Sequence, residues 1–496
     1  MVVQKSPQRA VLWGCGPQGS EVTVYVLGPT TQKKQTSVSN ETGMWRVMLD
    51  PIEAGGPYNI TAASTNPTNE SVTLVDVLFG DVWLCSGQSN MYFQVSQIFN
   101  ASKELALASK YPHVRIFMAD LVQSETELPD LANVSIPWSV PNEKDLAPFS
   151  AVCWLFGRYL YQILKYPIGL VESCWGGSAV EAWSSPTALK KCGLDYMDEK
   201  LMGPHANSIL WNSMIHPLLN MTIQGAIWYQ GEANTNYHKD LYNCSFPAMI
   251  DDWRTAFHEG SGGQSAIDFP FGFVQLSTDI KNSTDDGFSD IRWHQTADFG
   301  FVPNFRMKKT FMAVAMDLPD STSPFGTIHP RDKQDVAYRL TLGAQVVAYN
   351  HILTCNGPFP FLILPDKMYV YIIFDQELAV TPSKDIFEIC CSASVSLCGP
   401  RSNWVSAPIK LWVQRTIQLS TELCPQSEEV AAVRYAWRDW PCDFKACPVY
   451  SAKTALPAPP FIINFQSSSG WKRRHIATDN YLSTEDDWQK MQNGFL

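Results

Sequence analysis

Short apolar runs bounded by turn residues dominate the first seventy or so positions. Stretches such as VTVYVL (22–27) and MWRVML (44–49) run between clusters of Gly, Pro, Asn and Ser, which is how strands closed by turns read in a sequence. A small β-sandwich is predicted over residues 1–74. From about 75 to 350 the texture changes to strand–loop–helix alternation. Apolar strand candidates are VLFGDVWLC (77–85), IGLVESC (168–174), IQGAIWY (223–229) and FMAVAMDL (311–318). Between them, Val152, Leu155, Phe156, Tyr159, Leu160, Ile163 and Leu164 fall on one helical face. A helix is also predicted from Asp332 through Ala348. Such alternation predicts an α/β domain over residues 75–350, with a mainly parallel sheet flanked by helices. Strands return from 351, with Pro-rich connections, as a C-terminal Cys-rich β domain over 351–496.

Composition agrees with a chain of several cores. Its 496 residues are about three times the usual domain length, and 45% are hydrophobic, which excludes wholesale disorder. Against 37 basic residues stand 48 acidic ones, a net charge of −11. The one basic cluster is Lys472-Arg473-Arg474-His475, so nucleic acid and anionic membrane surfaces are poor partners. No apolar run reaches the roughly 18 residues of a membrane span. The opening residues contain no apolar stretch of signal-peptide length, which admits a cytosolic form.

Two features argue instead for the secretory route. Eight N-x-[ST] sequons occur, at Asn40, Asn59, Asn69, Asn100, Asn133, Asn220, Asn243 and Asn282. Of 13 Cys, six (Cys390, Cys391, Cys398, Cys424, Cys442 and Cys447) crowd the last quarter, a density that predicts local disulfides in an oxidising compartment. The odd total leaves at least one thiol outside them.

The candidate chemistry sits at strand ends, where open α/β sheets bind ligands. After 77–85 comes Ser86-Gly87-Gln88-Ser89-Asn90-Met91. A Ser between a strand and a helix exposes its hydroxyl as a nucleophile, although Ser more commonly caps a helix there. After 168–174 comes Trp175-Gly176-Gly177-Ser178, whose paired Gly let backbone approach a ligand and present an N–H. After 223–229, in Gln230-Gly231-Glu232-Ala233-Asn234, the Asn234 amide is a second candidate donor to an oxyanion. Past the last strand lie Asp317, Asp320 and the loop holding His329, a candidate general base. His205, His216, His238 and His294 are rivals, His294 the most serious. Nucleophile, two oxyanion donors and base together are the equipment of acyl transfer. No metal-ligand spacing or phosphate loop is evident, so no metal and no cofactor are expected.

The order GQSN, GG, QGEAN and IHP resembles the four blocks of the SGNH hydrolase superfamily. The longer strings DVWLCSGQSNM, WGGSAVEAWSS, WYQGEANTNY, IRWHQTADFG and IHPRDKQDVAYRL resemble the vertebrate sialate O-acetylesterases. The likeness covers most of residues 1–350 and resumes at RYAWRDWPCDFKACP and ALPAPPFI. It is looser over 361–433, where MYVYIIFDQELAV looks irregular. The resemblance implies a lysosomal or secreted serine esterase that removes acetyl groups, mainly from the 9-hydroxyl of sialic acids. It makes Ser89 the nucleophile and His329 the base. The oxyanion donors it implies are the Ser89 N–H, the N–H of Gly177 (ahead of Gly176) and the Asn234 side chain. Many of these enzymes carry an Asp three residues before the His, a position held here by Gly326. The group orienting His329 is then Asp317, Asp320, Glu232 or a backbone carbonyl near Gly326, with Asp317 the first choice. An acetylesterase for another carbohydrate and a silent sugar-binding protein on the same scaffold are the competing readings.

Overall fold

One long strand, β1 (Ser71–Gly87), runs from an N-terminal antiparallel sheet into the larger sheet of the first unit. The computed structural model describes residues 1–64, 70–195, 203–392, 398–399, 402–425 and 427–465. Asn69 and the Lys472–His475 cluster lie outside them. The first part of β1 pairs antiparallel with Gly55–Ser64, which pairs in turn with Glu21–Leu27. In the latter strand Val22, Val24 and Val26 point inward while Tyr25 points out, the two-residue period of a half-buried strand. They form one core with Leu12, Val47, Leu49, Tyr58, Ile60, Val77 and Phe79. Leu12 and Val47 come from a separate two-stranded sheet, Val11–Cys15 with Met44–Met48. The arrangement is sandwich-like. The anticipated boundary at residue 74 falls inside β1.

The second part of β1 is the centre of a larger sheet. Its other strands are β2 (Val114–Ala119), β3 (Val134–Ser139), β4 (Ile168–Cys174), β5 (Gly225–Tyr229), β6 (Phe271–Gln275) and β7 (Thr310–Val314). Their spatial order is β7-β6-β5-β1-β4-β2-β3, all parallel except for β3. The chain builds outward from β1 to one side through β2, β3 and β4, then returns to build the other side through β5, β6 and β7. The carboxyl end of β1 is therefore the topological switch point, where a crevice opens between diverging connections. β2, β3 and β6 escaped the sequence reading, and β6 stands between the strands that carry the third block and the His loop.

Five helices bear on the argument: α1 (Ser89–Tyr92), α2 (Ala151–Leu164), α3 (Tyr242–Gly260), α4 (Gly287–His294) and α5 (Lys333–Val347). Aromatic residues bind helices to both faces of the sheet. Trp83 meets Phe156 of α2 edge-on, ring centres 5.0 Å apart. Trp228, on the opposite face, meets Phe246 and Trp253 of α3. Such contacts bury large apolar area and add a geometric preference. Cys85–Cys153 ties β1 to α2, and Cys192–Cys244 anchors the first turn of α3. Among the described residues, no helix is long and apolar enough to cross a membrane.

The chain divides into two compact units, residues 1–356 with 438–447, and the remainder. The excursion 438–447 was expected within the C-terminal module. It belongs to the first unit because it completes buried groups there: Arg292 donates to the carbonyls of Arg438 and Asp439, both at 2.7 Å, and the Asp439 carboxylate accepts from the Asp279 and Ile280 amides. The second unit holds two four-stranded antiparallel sheets. Phe387, Tyr435 and Phe461 pack together in its core. All six crowded Cys pair locally, as Cys390–Cys398, Cys391–Cys424 and Cys442–Cys447. Cys15, Cys174 and Cys355 are free thiols.

Gly87 closes β1 where that strand runs against β5. Its φ is 139°, a conformation L side chains rarely adopt, and a Cβ there would stand 2.2 Å from the Tyr229 carbonyl oxygen. Gly87→Ala should therefore destabilise the first unit by about 2 kcal/mol or more, combining backbone strain with displacement of β5. Urea unfolding followed by Trp fluorescence checks this; an unchanged midpoint would show that the two strands separate freely.

Candidate active site

Each residue of Gly87-Gln88-Ser89-Asn90 does a different job at the end of β1. Gly87 permits the close approach just described. The Gln88 amide donates to the Tyr229 carbonyl at 2.9 Å, and its side-chain oxygen accepts from Gly231 and Ala233. The first and third blocks are thus joined through Gln88. Ser89 begins α1 and is partly open to solvent. Asn90 is buried and reaches three segments: Nδ2 donates to Glu232 (2.6 Å) and to the Ile328 carbonyl (2.9 Å), while Oδ1 accepts from Lys333 Nζ (2.7 Å).

Ser89 Oγ lies 2.8 Å from His329 Nε2. The other ring nitrogen, Nδ1, is 2.8 Å from the Phe325 carbonyl oxygen. A carbonyl only accepts, so Nδ1 carries the proton and Nε2 presents a lone pair to the serine hydroxyl. Phe93 stacks on the imidazole, ring centres 6.2 Å apart, and Phe325 meets Phe93 edge-on. Burial holds the His329 pKa below its ordinary value, and the Lys333 charge lowers it further; the Phe325 carbonyl and Asp279 pull the other way.

Gly176 lies against Ser89, and Gly177 continues the same turn. A Cβ at Gly176 would be 3.6 Å from Ser89 Cβ, and one at Gly177 would be 3.6 Å from His205 Cε1. Gly177 has φ 74°, which a residue with a Cβ adopts only at a cost. His205 therefore borders this turn, while the other rivals are engaged elsewhere: His216 with Leu128, His238 with Glu181 and His294 with Asp298.

Several expected roles need correction. The Asp317 carboxylate is fully buried and takes two hydrogen bonds from Arg339, at 2.5 and 2.9 Å, whereas the ring nitrogens of His329 bind Ser89 and Phe325. Asp320 is held by Arg331 through Nε and Nη2. Glu232 faces Asn90. The imidazole is thus oriented by a carbonyl one residue before Gly326. Asn234 is fully buried, and both amide hydrogens are used, toward Glu181 Oε2 (3.0 Å) and the Tyr237 carbonyl (3.1 Å). Its oxygen accepts from the Val180 amide (3.0 Å). Through these bonds Asn234 braces the turn after Gly177. Trp183, Trp228 and Tyr229 are core residues; Trp175 alone of the four aromatics near these loops is half-exposed.

The sequence reading missed Asn90 and Lys333. A signal for Lys333 exists, because it heads the stripe Lys333, Val336, Ala337, Leu340 and Ala344 on the buried face of α5. A cation at the head of an apolar stripe needs a buried partner. Among the described residues, no group of three or more His, Cys, Asp or Glu is placed to hold a metal ion.

Comparison with known proteins bears directly on this site. The family described as "Carbohydrate esterase, sialic acid-specific acetylesterase" matches residues 79–323, and "Sialate O-acetylesterase C-terminal domain" matches 362–465. The latter spans the segment whose likeness looked loose, and Tyr369–Phe374 within it is a regular strand. The chain is 51% identical over 480 residues to the sialate O-acetylesterase of Homo sapiens, covering 93% of this chain and 90% of the human one. It is 50% identical over 506 residues to that of Mus musculus, covering 93% and 92%. A crystal structure of a carbohydrate acetylesterase from Xanthomonas citri superposes with a TM-score of 0.77 at 27% identity, covering 93% of this chain and 97% of the other. The chain belongs to the sialate O-acetylesterase family of carbohydrate esterases.

Proposed function

We propose that this protein removes O-acetyl groups from sialic acids, mainly at the 9-hydroxyl, through an acetyl-enzyme intermediate on Ser89. The observation that carries the mechanism is the 2.8 Å contact between Ser89 Oγ and His329 Nε2, with Nδ1 fixed by the Phe325 carbonyl. Family membership supports the substrate class.

In the first half-reaction Ser89 Oγ attacks the acetyl carbonyl carbon while His329 Nε2 takes the hydroxyl proton. Negative charge develops on the carbonyl oxygen. We assign the backbone N–H groups of Ser89 and Gly177 as the donors that receive it, and Asn234 braces the turn after Gly177. The bond between carbonyl carbon and sugar oxygen then breaks, and the imidazolium returns its proton to that oxygen. Water, deprotonated by His329, attacks the acetyl-enzyme and releases acetate, restoring the serine hydroxyl.

An oxidising compartment, lysosomal or secreted, is the setting we infer. Five disulfides support it. Of the sequon residues, Asn40, Asn59, Asn100, Asn133 and Asn282 are exposed and Asn220 half-exposed. Asn243 is half-exposed too, with its amide bound to Asp298 at 2.6 Å.

Ser89→Ala should cut kcat for a 9-O-acetylated sialic acid by several orders of magnitude in a folded protein, since one hydroxyl alone is lost. A loss below about tenfold would assign the chemistry to another residue. His329 acts in its neutral form, so kcat/KM should rise through its pKa and level off above it. Because that pKa is lowered, the midpoint of the acid limb should lie below about 6.5, the ordinary imidazole value. A limb at or above that value would contradict the buried base.

The two aspartates should behave differently from triad members. Asp320→Asn should keep kcat within about tenfold of the parent, against the roughly 10⁴-fold loss typical when a triad carboxylate is removed. Asp317→Asn should act chiefly on stability, by about 3–5 kcal/mol, because the buried Arg339 loses the carboxylate that offsets its charge. Kinetics per folded molecule together with urea unfolding separate these effects. A 10⁴-fold kinetic collapse of a stable Asp317→Asn variant would restore that residue to the triad.

A further inference from the structure

Asn90 is 1% exposed, yet all three of its side-chain hydrogen-bonding contacts go to different parts of the site. Nδ2 donates to Glu232 of the third block and to the carbonyl of Ile328, the residue before His329. Oδ1 accepts from Lys333, in the first turn of α5. The amide can sit only one way round, since Lys333 solely donates and the Ile328 carbonyl solely accepts. Two buried ionisable groups thus face each other through one neutral amide. Lys333 is fully buried, its ammonium 4.8 Å from the Phe93 ring centre and 5.2 Å from that of Tyr229. Glu232 is also buried, and its second oxygen has no hydrogen-bond partner.

Such an arrangement is expensive, because buried charges and unpaired polar atoms each cost stability. A cap on α5 does not explain it, since Asp332 already caps that helix through the Asp335 amide. What the arrangement accomplishes is geometric. Ser89 and His329 come from opposite ends of the sequence of the domain, and the Asn90–Ile328 bond joins their immediate neighbours.

We propose that Asn90 is a positioning residue, clamped by Glu232 and Lys333, that fixes the His329 loop against Ser89. The proposal rests on the reading of Ser89 as nucleophile and His329 as base. In a carboxylate triad the acid both orients the ring and anchors the loop. Here the Phe325 carbonyl orients the ring, and Asn90 supplies the anchor.

The charged surroundings give this role a pH signature. His329 faces Lys333 from α5, Asp279 from the loop after β6, and the Phe325 carbonyl from its own loop. Arg331, two residues on, is neutralised by Asp320. Lys333 faces Glu232, Asp332 and Asp320, and burial brings its pKa down to about 7. Over the acid limb of the His329 titration Lys333 is mostly protonated, so its charge opposes imidazolium formation.

Three variants test the proposal: Asn90→Ala, Asn90→Asp and Lys333→Met, alongside Ser89→Ala. Steady-state kinetics on a 9-O-acetylated sialic acid and the rate of labelling by a serine-directed phosphonate are measured, with thermal unfolding as control. Asn90→Ala should lower kcat and the labelling rate together, by about 10²-fold, the scale of an ångström-sized misplacement, with KM within threefold. Asn90→Asp keeps the acceptor for Lys333 but loses the donor until it is protonated. Its activity relative to the parent should rise as pH falls from about 7 to 5. Lys333→Met should move the acid limb to higher pH. Folded Asn90→Ala with kcat and labelling within about fivefold of the parent overturns the proposal, as does a loss confined to KM. Should Asn90→Ala not fold, a folded Asn90→Asp active within about fivefold at pH 7 overturns it equally. Failure of both to fold assigns Asn90 to the fold instead. Undiminished labelling and turnover of Ser89→Ala would sink the underlying mechanism, a result distinct from all of these.

Discussion

The contact on which the rest depends is the meeting of β1 and β5 at Gly87 and Tyr229. With no side chain at 87 the strands close to within a single hydrogen bond, Gln88 N–H to Tyr229 O at 2.9 Å. That closure sets where α1 begins, and so where Ser89 stands. It also brings Gln88 onto Gly231 and Ala233, so the third block is placed by the first. The switch point of the sheet supplies the crevice, and the missing Cβ makes its floor tight enough to hold the contact between Ser89 and His329.

From that floor the site is braced outward by buried polar side chains. Asn234 donates to Glu181 and the Tyr237 carbonyl and accepts from the Gln230 side chain and the Val180 amide. Arg292 gathers the carbonyls of Leu276, Ser277, Arg438 and Asp439, which is how the excursion 438–447 becomes part of the first unit. Networks of this kind are stable only when nearly every member is satisfied. Asn90 and its two ionisable neighbours sit among them, beside Ser89 and the His329 loop.

How much of this could be read in the sequence follows from the range of each interaction. Strands and loops at the sheet edge are local patterns, so GQSN, GG, QGEAN and the His loop were placed correctly on strand ends. β6 was not recognised: five residues bounded by Pro270 and a loop carry too little period to distinguish them from coil. The side-chain partners were harder, because they are decided by residues far away. Asp317 lies three residues past β7 at the right sheet edge, which makes it the natural acid. The deciding fact is Arg339, on the buried face of α5 beside Val336, Leu340 and Gly343, where a cation demands a buried anion. Asn234 was read by the company of its motif, while Glu181, which claims its amide, lies in the second block among small and aromatic residues. In both cases the sequence held the competing partner, but nothing local ranked it above the catalytic role.

A carbonyl in place of a triad carboxylate changes the electrostatics of the base. A carboxylate beside Nδ1 stabilises the imidazolium and raises its pKa, which helps the transition state but protonates the resting base at mildly acidic pH. The Phe325 carbonyl fixes the tautomer with only a dipole, and burial beside Lys333 disfavours the charged ring. Under the proposed mechanism the base therefore stays neutral at lower pH, and charge formed during attack has less help from His329's own partner. More of the stabilisation must then come from donors to the oxyanion and from exact placement of Ser89 against Nε2. In a site without a full negative charge behind the imidazole, the geometry of the His loop carries a larger share of catalysis, and buried polar braces near that loop are where stability is given up for it.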